Sequence, residues 1–119
     1  MPDLTRQQLI TILAVTEHAR LSGADLSGLD LHGLNFAGAD LIRANLSHAN
    51  LSFAYMRAAR LEEANLEGAG LTNANLKEAS FKGANLAGAD LTGANLKDTN
   101  FYGANLQGVR PAELEAQPH

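Results

Sequence analysis

Four histidines, thirteen carboxylates and a scatter of serines are the residues of this chain with the chemistry for catalysis or metal binding. His18, His32, His48 and His119 fall in different registers of the repeat described below. None has the spacing or carboxylate partner of a metal site. The serines lack a histidine placed to activate them as nucleophiles. The series Asp25, Asp30, Asn35, Asp40, Asn45, Asn50 has the residue types of a calcium site. Asn and Asp also hydrogen-bond to nearby backbone and suit tight corners, and that reading fits the series better. With no cysteine there is no thiolate ligand, no cysteine nucleophile and no disulfide framework. The glycines are dispersed and form no phosphate loop. We therefore expect no catalytic centre, no cofactor and no metal.

The elements that would carry any site follow from composition and period. Leucine (20) and alanine (21) dominate the hydrophobic residues, and aromatics make up 5%. A core of one mid-sized and one very small side chain implies a repeated environment rather than a mixed jigsaw. The length of 119 residues allows one domain. The formal charge of −4 argues against a nucleic-acid or anionic-membrane binder, which needs a basic face. No apolar run approaches a membrane span. The short run from Leu9 to Val15 has the length of a minimal signal-peptide core, but Asp3 occupies what would be its positive flank. A chain without disulfides suits the cytosol.

From Ala19 to Gly108 the chain divides into units of five with no insertion or deletion. The third position is large and apolar throughout, from Leu21 through Phe36, Met56 and Phe81 to Leu106. The first is alanine except at Leu29, Leu34 and Thr99, the second is mostly Asn or Asp, and the fifth holds ten of the eleven glycines. A period of five smears leucines around an α-helix and alternates them between the faces of a flat strand. Within a unit, however, positions alternate apolar and polar, and then glycine marks a corner that favours φ > 0. Each unit reads as a very short extended segment plus a turn, which buries nothing alone and must stack in coils.

The motif Ala-(Asn/Asp)-Leu-X-X, as in Ala44-Asn45-Leu46-Ser47-His48 and Ala84-Asn85-Leu86-Ala87-Gly88, resembles the pentapeptide-repeat family over residues 19–108. The resemblance implies an all-β solenoid, a right-handed quadrilateral β-helix of four units per coil. About 4.5 coils at a rung spacing of about 4.8 Å would make a rod roughly 20–25 Å long.

Residues 1–18 read as an N-terminal capping helix, with Leu4, Leu9, Ile12, Leu13 and Val15 apolar and Asp3 or Thr5 as N-cap. Residues 19–109 form the β-helix, and residues 110–119 a tail with one or two helical turns from Pro111. The C-terminal coil end is poorly covered. Phe101, Leu106, Val109 and Leu114 are the residues expected at a homodimer interface there, an association mode that the resemblance also implies.

One surface strip departs from the repeat. Phe53, Tyr55 and Arg57 alternate outward with Ala54 and Met56 inward, on a face shared with Asn75, Lys77, Asn95 and Lys97. Arg43, His48 and Arg60 are expected nearby. Aromatics and arginine are enriched at interaction hot spots, so Phe53, Tyr55, Arg57, Arg43 and Arg60 form a candidate patch for an unidentified protein partner. The expected function is a non-enzymatic interaction or structural module. The resemblance also suggests a second role, since some members imitate a DNA duplex and bind DNA gyrase or topoisomerase IV. A duplex mimic needs a densely acidic surface, whereas residues 21–109 carry nine acidic and six basic side chains.

Overall fold

The computed structural model describes residues 2–115. A single α-helix, α1 (Arg6–Val15), precedes the repeat, and one 3-10 turn (Ala112–Leu114) follows it. Residues 116–119 of the tail, His119 among them, lie outside the described residues. In the repeat, from Arg20 to Asp90, the second residue of each unit makes one parallel bridge to the second residue twenty positions on. The series runs from Arg20↔Asp40 to Asp90↔Arg110, and no longer strand forms among the described residues. A register of twenty with units of five gives four units per coil.

The five backbone N–H groups of a unit are satisfied in five ways, and this explains the motif. The second-residue N–H donates to the first-residue carbonyl of the preceding coil, as from Asn65 to Ala44 (2.9 Å). The third donates to the second-residue carbonyl of the next coil, as from Leu66 to Asn85 (2.7 Å), and the fifth donates to a fourth-residue carbonyl there, as from Gly68 to Ala87 (2.9 Å). The first closes a tight turn onto its own coil, as from Ala69 to Leu66 (3.0 Å). The fourth N–H has no backbone acceptor. Where the second residue is Asn or Asp it donates instead to that side chain two positions back, as from Glu67 to Asn65 Oδ1 (3.0 Å) and from Thr92 to Asp90 Oδ1 (3.0 Å); Ser22, Arg57, Glu62 and Thr72, which follow Arg20, Tyr55, Arg60 and Gly70, have no such acceptor. Asn and Asp recur at position two because a buried or half-buried donor left unmade is costly.

Each turn has a single left-handed residue, at position five, as in a type II turn. Glycine fills ten of these corners, while Arg43, His48, Phe53, Ala58, Glu63, Asn73, Glu78 and Asp98 take the same conformation at φ between 58° and 63°. The corner is thus imposed by the coil, and glycine is only its least strained occupant.

Third-position side chains stack in columns inside the coil. Leu26, Leu46, Leu66 and Leu86 form one such column, each 0% exposed. Of the alanines beside them, Ala44, Ala64 and Ala84 are buried and Ala24 is partly buried, with room for little more than a methyl group. Outside, second and fourth positions make four faces. The first carries Arg20, Asp40, Arg60, Ser80 and Asn100, and the second Asp25, Asn45, Asn65, Asn85 and Asn105. The third carries Asp30, Asn50, Gly70, Asp90 and Arg110, and the fourth Asn35, Tyr55, Asn75 and Asn95.

Helix α1 starts at a capping box, in which Thr5 accepts from Gln8 N–H (3.1 Å) and Gln8 Oε1 accepts from Thr5 N–H (2.8 Å). Leu9 is fully buried, and Leu4, Ile12, Leu13, Leu29 and Leu34 pack on the same core. Polar bonds tie this segment to the first coil: Asp3 N–H to Asp25 carbonyl (2.6 Å) and Arg6 to the carbonyls of Asp30 (2.8 Å) and His32 (3.2 Å). Among the described residues no helix is long and apolar enough to cross a membrane.

Candidate partner-binding face

The fourth face begins at the corner held by Phe53. Its backbone is left-handed (φ 60°) and its side chain is 66% exposed. Ala54 and Met56 point into the core, and the alternation places Tyr55, 39% exposed, and Arg57 outward. Tyr55 sits in the ladder between Asn35 and Asn75. Because Tyr55 replaces an Asn, Arg57 N–H lacks the side-chain acceptor that Asn75 gives Lys77 (3.1 Å) and Asn95 gives Lys97 (3.1 Å). The Arg57 guanidinium reaches across one coil to Glu78, with Nε donating to Oε1 (3.1 Å) and Nη2 also 3.1 Å away. Glu78, and after it Tyr55, hold the Arg57 guanidinium more firmly in its charged form than usual.

Two expected members of the patch lie elsewhere. Arg43 is ten residues, half a coil, from Phe53, and so occupies the opposite corner; it pairs with Glu63 on the next coil (3.4 Å). Sequence adjacency to the aromatic strip misplaces it because a coil turns back on itself every twenty residues. Arg60 stands on the first face, next to Tyr55's face, 4.0 Å from Glu62. The aromatic strip is therefore Phe53, Tyr55 and Arg57, continued along the coil axis by Lys77 and Lys97.

The histidines serve local contacts. His18 Nδ1 lies 3.2 Å from Gly38 carbonyl, His32 Nδ1 lies 2.6 Å from Asp30 Oδ1, and His48 lies over Gly68. Among the described residues no cluster of His, Cys, Asp or Glu could hold a metal ion. The carboxylates of the Asp series are local acceptors. Ser27 hydroxyl and then its N–H hold Asp25 below the ordinary carboxylate range, and Thr92 does the same for Asp90. For Asp30 the bonds from His32 have that effect.

At the C-terminal end the expected residues separate. Leu106 and Val109 are buried within the chain, where Leu114 packs on the core and Glu115 bonds back to Gly108 N–H. Phe101 is only half-buried, stacked on Phe81 with ring centroids 5.4 Å apart. Leu96 is equally open and belongs with Phe101 rather than with Leu106. Leu106 and Val109 are thus not the open residues expected from the sequence, because one 3-10 turn folds back over half of the coil end.

The structure adds one feature with no sequence signal. A cleft of about 290 Å³ opens where the end of α1 meets the first coil. Leu13, Ala37 and Ala39 give it apolar walls, and Glu17, His18 and Asn35 polar ones. Its existence depends on how α1 lies against the coil, which no local pattern encodes.

The family profile Pentapeptide repeats matches eight copies over residues 19–52, 49–86 and 69–108. The chain belongs to the pentapeptide-repeat family. It is similar to HetL of the cyanobacterium Nostoc, a pentapeptide repeat protein involved in heterocyst differentiation regulation. The identity is 40% with a TM-score of 0.72, over 75% of this chain and 40% of HetL. It is also similar to a pentapeptide repeat protein of the Arabidopsis thaliana thylakoid lumen, 36% identical with a TM-score of 0.77, over 82% of this chain and 68% of that one. A further Nostoc pentapeptide repeat protein is 28% identical with a TM-score of 0.73, over 92% of this chain and 99% of that one. No curated protein matches the sequence. The chain thus spans less than half of HetL. These comparisons indicate no enzyme family.

Proposed function

We propose that this protein is a non-enzymatic interaction module. It is built as a right-handed quadrilateral β-helix with α1 as the cap of its first coil, and it works in the cytosol. It engages a protein partner through Phe53, Tyr55 and Arg57. The observation that carries this reading is Phe53. A non-glycine residue in the left-handed region costs on the order of 1 kcal/mol, and a large apolar side chain there could offset that cost only by burial. Phe53 is 66% exposed and recovers little within the chain. A large apolar side chain beside Tyr55 and Arg57 has the composition of a binding hot spot. The duplex-mimic role is less well supported, since Arg57, Lys77 and Lys97 place positive charge along that face.

The test is affinity capture from the native host on immobilised protein, comparing wild type with Phe53→Asn. Asn73 already occupies the next corner of the same column in the same backbone conformation, so the variant keeps the fold. Loss of specific partners with Phe53→Asn supports the reading, and an unchanged capture profile refutes it. Self-association belongs to the same proposal. The half-open C-terminal coil, with Leu96 and Phe101, joins two copies in a dimer that Phe101→Glu converts to monomer in sedimentation experiments. A wild-type monomer mass independent of concentration removes the dimer.

A further inference from the structure

The four faces differ in charge. Second and fourth positions of the first face mix Arg20, Asp40, Arg60, Glu62 and Lys82; the second carries Asp25 and Glu67; the third carries Asp30, Asp90 and Arg110. The fourth alone has cations without a carboxylate: Arg57, Lys77 and Lys97, one per coil. Glu78 engages Arg57, but among the described residues neither Lys77 nor Lys97 has an ion pair. A column of like charges at rung spacing opposes folding slightly and gains nothing within the chain. The same two columns start, one coil earlier, at Asn35 and Ala37, and both residues line the cleft beneath α1. Along the coil axis the cleft is therefore followed by Tyr55 and Arg57 and then by Lys77 and Lys97, with Phe53 at the adjoining corner.

This surface is polarised. At the cleft end stand Glu17 and the C-terminus of α1, which has no basic residue in its last turn and so leaves its negative dipole end uncompensated. At the other end stand the free ammonium groups of Lys77 and Lys97. We propose that the fourth face docks an acidic peptide segment along the coil axis. An apolar side chain sits in the cleft and carboxylates lie toward Lys97. This rests on the reading of the protein as an interaction module and names its partner's chemistry. Three rung steps from Ala37 to Lys97 span about 14 Å, the length of four to five extended residues. Nucleic acid fits less well, because three cations flanked by Glu78 and Asp98 on a chain of net charge −4 make no polyanion footprint.

The probe is a fluorescein-labelled synthetic peptide with one leucine followed by alternating Asp and Glu, read by anisotropy at low and physiological salt. Saturable binding that weakens about tenfold or more in Lys77→Glu/Lys97→Glu is expected. Lys82→Glu, on the first face, should leave it unchanged, and added salt should reduce it. Ala37→Trp, which fills the cleft, should weaken this peptide but not one lacking the leucine. Circular dichroism confirms that each variant is folded. Absence of saturable binding, equal weakening by Lys82→Glu, or equally tight binding of a single-stranded DNA of the same charge overturns the inference. If any of these occurs while Phe53-dependent capture persists, the acidic-segment assignment fails and the interaction module stands. Loss of both removes both.

Discussion

Gly68 and Gly88 provide an internal control for what a corner glycine does. They occupy the same corner column one coil apart, with φ of +68° and +71°. A Cβ built on Gly88 meets nothing within 4 Å, whereas one on Gly68 lies 2.5 Å from His48 Nδ1. For Gly88→Ala the left-handed strain of about 1–2 kcal/mol is partly offset by about 0.4–1 kcal/mol from a less flexible unfolded chain. The net cost is about 1 kcal/mol. Gly68→Ala carries the same cost and must also displace the exposed His48 ring, which adds about 0.5–1.5 kcal/mol if the ring leaves its rotamer. Urea unfolding followed by circular dichroism should therefore rank Gly68→Ala as more destabilising than Gly88→Ala. In a His48→Ala background the two should become equal. Equal costs in the wild-type background, or a difference that survives His48→Ala, would refute the claim that corner side chains fold over the next coil.

Three further outcomes follow from the same geometry. Leu66→Ala removes a side chain with 0% exposure from between Leu46 and Leu86, whose rungs are held by backbone bonds and cannot collapse. A loss of about 3–5 kcal/mol in urea unfolding is expected, and a loss below about 1 kcal/mol would contradict a stacked core. Asn45→Ala deprives both the N–H (3.0 Å) and the hydroxyl (2.7 Å) of Ser47 of their acceptor, for a cost of about 1–2 kcal/mol, while Asn45→Asp should be near neutral at pH 7. Asp25 and Asp90 titrate below the ordinary value of 3.8, so their contribution is present above that value and is lost as pH falls through their folded pKa. Asp25→Asn/Asp90→Asn keeps an oxygen acceptor but removes the charge, so it should lower the melting temperature slightly near pH 7, match wild type once both carboxylates are protonated, and so flatten the pH dependence.

The repeat was legible because its chemistry is forced at each register. Position three must be large, because it fills the axis. Position one must be small, because its Cβ points into the crowded space beside that axis. Position two was legible as a preference, but its reason was visible only in the structure: the fourth N–H is the one donor that neither the neighbouring coil nor the turn satisfies. Helix α1 itself, its Thr5 cap and the burial of Leu9 follow the apolar pattern, but Val15, expected on the same apolar face, is 81% exposed because it is the last residue of the helix. The C-terminal end was less legible. Whether Leu106 is open or buried depends on where a short tail lies, and that is a long-range contact with no period to reveal it.

The outward positions obey a different logic, which explains why Phe53, Tyr55 and Arg57 share one strip while Arg43, near them in sequence, lies at the opposite corner. Outside the coil the repeat constrains only the corner conformation and the position-two acceptor. A residue that breaks either constraint without compensation inside the chain is informative, and Phe53 and Tyr55 break one each: Phe53 takes a glycine corner, and Tyr55 leaves Arg57 N–H without its acceptor. Arg43 also takes a glycine corner, but Glu63 on the next coil compensates it. The useful signal is therefore an irregularity that its own column does not repay. By that criterion Lys77 and Lys97 join the aromatic pair despite keeping their Asn acceptors, because each adds like charge to a column and has no ion-pair partner among the described residues. Gly70 on the third face also leaves Thr72 N–H without a position-two acceptor, so what sets the fourth face apart is that its irregularities combine exposed aromatic side chains with cations that have no ion pair among the described residues.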